Sequence, residues 1–128
     1  MKLVQDTSRF DVLLMENLYG DLVSDLCAGL VGGLGVVPGS NIGDDFAVFE
    51  AVHGSAPDIA GKGIANPLAI IMSSVMMLNH IHEEKLAATI KAAYDTVLSE
   101  SDPKTLTKDL GGTATTDQFA DALIAKMK

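Results

Sequence analysis

The chain has 128 residues, 48% of them hydrophobic, and a formal net charge of −8 at pH 7, which suits one globular domain with its own core. Its charges are scattered and it contains no Trp. It therefore lacks the basic face and the stacking aromatics typical of nucleic-acid binding. The single cysteine, Cys27, excludes an internal disulfide and indicates a reducing compartment. The longest near-apolar run, residues 67–78, is too short to cross a bilayer. We expect no nucleic-acid partner and no membrane.

The first predicted elements are a strand and a helix. Residues 10–15, "FDVLLM", form an apolar run typical of a strand buried on both faces. The apolar helix that follows is expected to end at Gly32 and Gly33, and Cys27 on it is expected to be a small buried hydrophobe. The Gly-, Pro- and Asn-rich segment "GGLGVVPGSNIGDD" predicts a loop. A second strand is predicted at residues 46–53, and the loop "GSAPDIAGKGIA" follows it.

A helix of unusual composition is predicted at residues 67–81. Asn66 is a favourable N-cap, and Pro67 suits the first helical position. The helix is apolar nearly all round, which indicates burial inside a large fold or against a partner chain. His80 and His82 are expected to be exposed at its end.

Three more elements complete the prediction. Residues 83–99 form an amphipathic helix, and residues 104–110, "KTLTKDL", alternate like a strand. Thr115 and Gln118 form a capping box for a last helix that ends at Met127. Strands that alternate with helices predict an α/β layer.

Two aspartates, Asp21 and Asp25, stand four residues apart on the first helix, where residues at i and i+4 share a face. Like charges there are unfavourable unless a cation lies between them, and carboxylates suit Mg²⁺ or Mn²⁺. Alternatively, Asp21 merely interacts with the positive end of the helix dipole. That alternative leaves Asp25, one turn further along, unexplained.

Residues 49–67 offer a candidate nucleotide site. Their small side chains and free backbone N–H groups allow a phosphate-bearing ligand to approach closely. Asp58 and Asn66 could form hydrogen bonds with a ribose or a base. The alternative is an ordinary strand-to-helix connection, although this one is longer than most. The segment "GLGVVPG" is not a dinucleotide-binding motif, because it has Pro38 within the pattern and follows a helix.

The segments "NLYGDLVSDLCAGLVGGLGVVPGSNIG" and "FEAVHGSAPDIAGKGIANP" resemble, in order, two motif regions of the β-decarboxylating dehydrogenases. This family includes isocitrate, homoisocitrate, 3-isopropylmalate and tartrate dehydrogenases, and the resemblance covers nearly the whole chain. It implies an α/β fold of the isopropylmalate dehydrogenase type, which is not a Rossmann fold. Residues 1–128 would be the C-terminal segment of the large domain, with the N-terminal part and the small domain absent. The family's acid–base residues lie upstream, so no catalytic residue is expected in this segment.

The resemblance also implies roles for single residues. Asp21 and Asp25 would bind Mg²⁺ or Mn²⁺, and Glu50 would face the nicotinamide ribose of NAD. The residues expected around the adenosine end of NAD are His53, Gly54, Ser55, Ala56, Pro57, Asp58, Ile59 and Asn66. Asp58 would accept hydrogen bonds from the ribose hydroxyls and repel the 2′-phosphate of NADP. Relatives that use NADP tend to carry Lys-Tyr in place of Asp58-Ile59, and Tyr and Arg in place of Lys108 and Gly112.

The expected function is that of a fragment of a metal-dependent NAD oxidoreductase that oxidises and decarboxylates isocitrate to 2-oxoglutarate. Homoisocitrate or 3-isopropylmalate dehydrogenase, or a non-catalytic regulatory subunit of a hetero-oligomeric isocitrate dehydrogenase, are alternatives. A third is an isolated α/β nucleotide-binding or assembly module. The partners would be a small 2-hydroxy acid and further copies of the chain, in a homodimer or higher oligomer. The location would be the cytoplasm of a bacterium or archaeon, or the mitochondrial matrix of a eukaryote.

Overall fold

A computed structural model describes residues 1–127 of the chain. The chain forms two compact units, Met1–Leu34 and Gly35–Lys128. Within the described residues, every helix is too short or too polar to span a bilayer.

The first unit contains helices α1 (Lys2–Gln5) and α2 (Asn17–Val31). Gly32 and Gly33, which follow α2, have φ angles of +135° and +104°, and the N–H of Gly33 donates to the carbonyl of Ala28. These angles favour glycine over any residue with a side chain. The prediction that paired glycines end this helix is confirmed. Cys27 is only partly buried, so its predicted burial is found in part.

The predicted strand at residues 10–15 is wrong. The segment is irregular, and its side chains are exposed, Leu14 to 96%. A strand needs a neighbouring strand to satisfy its backbone hydrogen bonds. Within residues 1–127 the sheet has two strands, and this segment pairs with neither of them.

The second unit begins with an antiparallel hairpin of strands β1 (Pro38–Ile42) and β2 (Ala47–Ala51), with Pro38 opposite Ala51 and Ile42 opposite Ala47. The expected second strand is confirmed, although it ends before His53. The loop predicted for "GGLGVVPGSNIGDD" is wrong in part, because β1 lies within it. Proline is tolerated at the first residue of a strand, so it does not prevent pairing.

Three helices follow the hairpin, namely α3 (Leu68–His80), α4 (Glu84–Glu100) and α5 (Thr116–Lys126). Helix α3 packs against both strands, α4 packs against α3, and α5 packs against α4. All three predictions are confirmed to within one or two residues, and the capping box of Thr115 and Gln118 is present. The core side chains come from these helices and from the segment before α5, and they are Leu68, Val75, Ala87, Ala93, Tyr94, Val97, Leu106, Phe119 and Leu123.

Helix α3 is covered on one side only. Leu68, Ala69, Ser73 and Val75 are buried, whereas Ile70 is 48% exposed. The hydroxyl of Ser73 donates to the carbonyl of Glu50 at 2.7 Å and thereby fastens the helix to β2. The burial on every side expected from its composition is therefore not found within the described residues. His80 and His82 are exposed at its end, as predicted.

The predicted strand at residues 104–110 is wrong as well. The carbonyl of Thr107 accepts hydrogen bonds from the N–H groups of Leu110 and Gly112, which folds the segment into a turn. Leu106 and Thr107 are neighbours in sequence, and both are buried. Successive side chains of a strand point to opposite faces, so a turn explains this burial better. A Cβ added to Gly112 would lie 1.9 Å from the carbonyl oxygen of Leu106, and only glycine therefore fits there.

Candidate functional site

A cavity of about 1180 Å³ lies within the second unit. Residues 53–56, 59–61 and 63–66 form most of its wall, and Gly35, Lys108 and Asp109 complete it. Small-molecule sites in proteins commonly have volumes of roughly 300–1,000 Å³. The cavity is therefore large enough for the nucleoside end of a cofactor, and its wall consists mostly of small residues.

The loop along this wall has an unusual backbone. Ala56 has a φ of +41°, and it precedes a short 3₁₀ turn at Pro57–Ile59. Gly61 and Gly63 have φ angles of +74° and +61°. Left-handed conformations cost little for glycine but are strained for alanine. Such strain is often associated with functional sites, where the backbone must take a particular course.

Hydrogen bonds connect the loop to the segment before α5 and to the first residue of α5. The amide Nδ2 of Asn66 donates to Oδ2 of Asp109 at 2.8 Å. Thr116 donates from its N–H to the carbonyl of Gly63 and from its hydroxyl to the carbonyl of Ala65. These bonds join segments about fifty residues apart in sequence, so the cavity wall is held at both sides.

Six of the nine residues predicted to bind the cofactor lie together around this cavity. They are His53, Gly54, Ser55, Ala56, Ile59 and Asn66. Pro57 and Asp58 belong to the same loop, but they are exposed and outside the cavity lining. Glu50 lies on β2, where its carboxylate accepts a hydrogen bond from the amide of Asn41 at 3.0 Å.

The sequence-based assignment did not include Gly35 and Asp109, and it treated Lys108 only as a position that differs in NADP-using relatives. Lys108 and Asp109 were placed on a strand that does not exist. The pair Gly111-Gly112 directly after them is a turn signal, and it could have indicated that these side chains lie at a bend.

Asp21 and Asp25 lie on α2 in the first unit, and both are exposed. Among the described residues, neither carboxylate is in a salt bridge with a lysine, arginine or histidine. Within residues 1–127 no group of three His, Cys, Asp or Glu side chains could hold a metal ion. Magnesium often takes only one or two carboxylates, with water and substrate oxygens as its other ligands. Two carboxylates on one helical face therefore fit part of such a site.

The fold and the cavity define an α/β protein segment with a nucleotide-sized site built on one loop. Residues 1–123 match the isocitrate/isopropylmalate dehydrogenase family. The chain belongs to this family. Over its full 128 residues it is 56% identical to the isocitrate/homoisocitrate dehydrogenase of Thermus thermophilus, of which it covers 37%. It is 54% identical over 129 residues to the alpha subunit of the mitochondrial NAD isocitrate dehydrogenase of Homo sapiens, covering all of this chain and 35% of that protein.

Solved structures agree with this membership. The crystal structure of isocitrate dehydrogenase from Methylococcus capsulatus superposes on 98% of this chain and 37% of its own, with a TM-score of 0.87 and 50% sequence identity. The expected α/β fold of this dehydrogenase type is thus confirmed. The chain spans little more than a third of the length of these relatives.

Proposed function

We propose that the chain is the C-terminal segment of the large domain of a metal-dependent NAD oxidoreductase that oxidises and decarboxylates isocitrate to 2-oxoglutarate. The observation that carries the proposal is the cavity between residues 53–66 and the turn at Lys108 and Asp109. It brings together most of the residues that the resemblance assigns to the adenosine end of NAD. Relatives named as NAD isocitrate dehydrogenases support the same cofactor and substrate.

The preference for NAD over NADP rests on charge and space. Asp58 is exposed in the turn Pro57–Ile59, and no lysine, arginine or histidine among the described residues forms a salt bridge with it. A carboxylate in that position would accept hydrogen bonds from ribose hydroxyls and repel a 2′-phosphate. The tight contact of Gly112 with Leu106 leaves no room for an arginine at residue 112. The cation that NADP-using relatives tend to carry there therefore cannot be added without a backbone change.

Asp21 and Asp25 would hold Mg²⁺ or Mn²⁺, which when bound acts as a Lewis acid towards the oxygens of the 2-hydroxy acid. The residues themselves supply two hard oxygen ligands on one helical face. Their mutual repulsion is relieved only when a cation is present. Metal binding should consequently stabilise α2. Replacement of either aspartate by Asn should weaken metal binding.

Homoisocitrate is a second candidate substrate, because the relative from Thermus thermophilus is named an isocitrate/homoisocitrate dehydrogenase. A 3-isopropylmalate dehydrogenase is a further alternative, and so is a non-catalytic regulatory subunit of a hetero-oligomeric isocitrate dehydrogenase. Retention of Asp21, Asp25, His53 and Asp58 favours the catalytic type. The acid–base residues would come from the rest of the enzyme, so the 128-residue chain should not form NADH from isocitrate.

Assembly and location are part of the same proposal. The chain would form a homodimer or a higher oligomer, since α2 and α3 both expose apolar side chains. Its relatives include mitochondrial and bacterial proteins. We accordingly place the parent enzyme in the bacterial or archaeal cytoplasm, or in the mitochondrial matrix if the source is eukaryotic.

The cofactor assignment is tested by changing Asp58 to Lys together with Ile59 to Tyr. Ribose hydrogen bonds to a carboxylate and repulsion of a phosphate together correspond to a preference for NAD of about a hundredfold or more. The double variant should bind NAD⁺ more weakly and reduce this preference, as measured by titration calorimetry with NAD⁺ and NADP⁺. Asp44→Lys, which makes the same charge change in the exposed hairpin turn, is the control. An unchanged ratio in the double variant contradicts the assignment of Asp58.

A further inference from the structure

The exposed face of the hairpin carries a carboxylate whose stem lies against a glycine of the opposite strand. Glu50 on β2 lies directly opposite Gly39 on β1. A Cβ added to Gly39 would lie 3.8 Å from Cγ of Glu50 and 3.3 Å from its carbonyl oxygen. The absence of a side chain at residue 39 therefore gives the side chain of Glu50 room to lie close to β1.

An amide on β1 holds the carboxylate of Glu50. Nδ2 of Asn41 donates to Oε1 of Glu50 at 3.0 Å. Asn41 lies two residues beyond Gly39, so it projects from the same face of the hairpin and is a diagonal neighbour of Glu50. Within residues 1–127 no lysine, arginine or histidine forms a salt bridge with Glu50. The orientation of its carboxylate therefore depends on this neutral donor.

The main chain of Glu50 is fixed from the other face of the hairpin. Ser73 on α3 is buried, and its hydroxyl donates to the carbonyl of Glu50 at 2.7 Å. The ring of Phe49, the preceding residue, lies 5.5 Å from the ring of His80 on the same helix. Successive side chains of a strand point to opposite faces, so Glu50 points away from α3. Its backbone is anchored to the helix, while its carboxylate is presented on the exposed face.

Glu50 lies close to the cavity but outside its wall. His53, three residues further along the chain, is part of the wall, and three residues of extended chain span at most about 11 Å. A dinucleotide carries a second ribose beyond its pyrophosphate. A cavity that takes the adenosine end therefore leaves the other ribose outside, on a surface near the cavity.

We propose that Asn41 is a positioning residue, which holds the carboxylate of Glu50 towards the ribose on the nicotinamide side of NAD. This inference rests on the proposed function, in which Glu50 faces that ribose. With Oε1 held by Asn41, Oε2 can accept a hydrogen bond from a ribose hydroxyl. A side chain already held in its binding conformation loses less conformational freedom when the ligand binds. Asn41 should therefore strengthen NAD binding through Glu50.

The test is titration calorimetry of the 128-residue chain with NAD⁺ and with AMP, which has no second ribose. Asn41→Ala should weaken NAD⁺ binding by about three- to tenfold, because Glu50 is no longer held, and should leave AMP binding unchanged. Glu50→Ala should weaken NAD⁺ binding at least as much. Adding Asn41→Ala to Glu50→Ala should weaken it by less than about twofold further, because Asn41 acts only through Glu50. Asn79→Ala, at an exposed position on α3, is the control and should keep both affinities.

A measurement without ligand tests the contact itself. In ¹H–¹⁵N NMR spectra of the isotope-labelled chain, Glu50→Ala should shift the side-chain NH₂ signals of Asn41, because their acceptor is lost. The corresponding signals of Asn79 should stay in place. Unchanged Asn41 signals would show that its amide does not hold the carboxylate, and would overturn the inference whatever the chain binds.

The outcomes separate this inference from the proposed function. If the wild-type chain binds neither NAD⁺ nor AMP at millimolar concentration, the proposed cofactor site fails, and the inference with it. If both bind but Asn41→Ala leaves NAD⁺ affinity unchanged, the inference alone is wrong. Equal weakening of NAD⁺ and AMP also overturns it, because Asn41 would then merely stabilise the hairpin, as an ordinary cross-strand pair does. Additive effects of Asn41→Ala and Glu50→Ala overturn it as well, since Asn41 would then act independently of Glu50.

Discussion

The two units of the chain differ in how far their apolar side chains are buried. The second unit buries a core of helix and turn residues, of which Phe119 is fully enclosed. In the first unit Ala28 is the one buried residue among those described, while Leu18, Leu22, Leu26 and Leu30 are between 45% and 65% exposed. These leucines recur every four residues and form one face of α2, which we call the leucine stripe.

This difference bears directly on function. The nucleotide-sized cavity lies in the second unit, which has its own core and whose loops are joined by hydrogen bonds. The cavity should therefore be formed in the isolated chain. Asp21 and Asp25 lie on a helix whose apolar face has no cover in its own unit. The metal site should therefore depend on the rest of the assembly, whereas the cofactor site should not.

The largest expected effect comes from the core of the second unit. Replacing Phe119 with Ala should reduce the free energy of unfolding by about 3–5 kcal/mol, because a buried aromatic ring is lost and a cavity remains. Leu14→Ala in the first unit, where the side chain is 96% exposed, should change it by less than about 0.5 kcal/mol. Urea unfolding followed by circular dichroism measures both. Similar values for the two variants would mean that the second unit has no stable core of its own.

Two glycines should respond in opposite directions. Gly112→Ala should destabilise the second unit by about 1–3 kcal/mol or more, because its Cβ would collide with the carbonyl of Leu106. Gly29 lies inside α2 with nothing within 4 Å of an added Cβ, so Gly29→Ala should stabilise that helix by about 0.5–1 kcal/mol. Thermal unfolding and helical ellipticity give the two values. Stabilisation by Gly112→Ala would contradict the described turn.

The leucine stripe should be the surface that binds a second copy of the chain. Leu22→Glu places a charge in its centre and should weaken self-association at least about tenfold, since burying an unpaired charge is costly. Val31→Glu is the control, because Val31 is 71% exposed on α2 but outside the stripe. Sedimentation velocity over a range of concentrations measures the effect. A wild-type chain that remains monomeric throughout contradicts the assembly proposal.

The smallest expected effect concerns Lys91 on the exposed side of α4. Its hydrogen bond to Asp95 at 2.6 Å, with added contributions from the charges of Tyr94 and Asp95, raises the pKa of Lys91 above its ordinary value of 10.5. The pair therefore stabilises the fold below that value, and this contribution disappears as the pH rises through the higher, folded-state pKa. Asp95→Asn should lower the pKa of Lys91 in an NMR titration. The pair is exposed, so stability at neutral pH should hardly change.

The sequence predicted the helices well and the strands poorly. The capping box at Thr115 is a local signal, and it is present at the start of α5. The predicted N-cap at Asn66 is one residue too early, because α3 begins at Leu68 with Pro67 in the N-cap position. The strand at residues 10–15 was predicted from an apolar run, and the strand at residues 104–110 from an alternating pattern. A strand also needs a partner, and pattern alone does not reveal whether a partner exists.

The candidate site was likewise predicted only in part from the sequence. Residues 53–66 are contiguous, so one loop motif predicted most of the cavity wall. Asp109 is 43 residues away from Asn66 in sequence. It lies at the cavity because residues 104–110 form a turn and not the predicted strand. Its part in the wall depends on tertiary contacts, which residue spacing does not encode.

The most direct test of the central claim is an NMR titration of the isotope-labelled chain with NAD⁺, AMP and nicotinamide mononucleotide. If the cavity binds the adenosine end, NAD⁺ and AMP should shift the same backbone amide signals, those of residues 53–66 and of Lys108 and Asp109. Nicotinamide mononucleotide should not shift these signals. None of the three ligands should shift the amide signals of α5 beyond Phe119. Shifts of the cavity signals caused by nicotinamide mononucleotide but not by AMP, or shifts caused by AMP outside the cavity wall, would contradict the account.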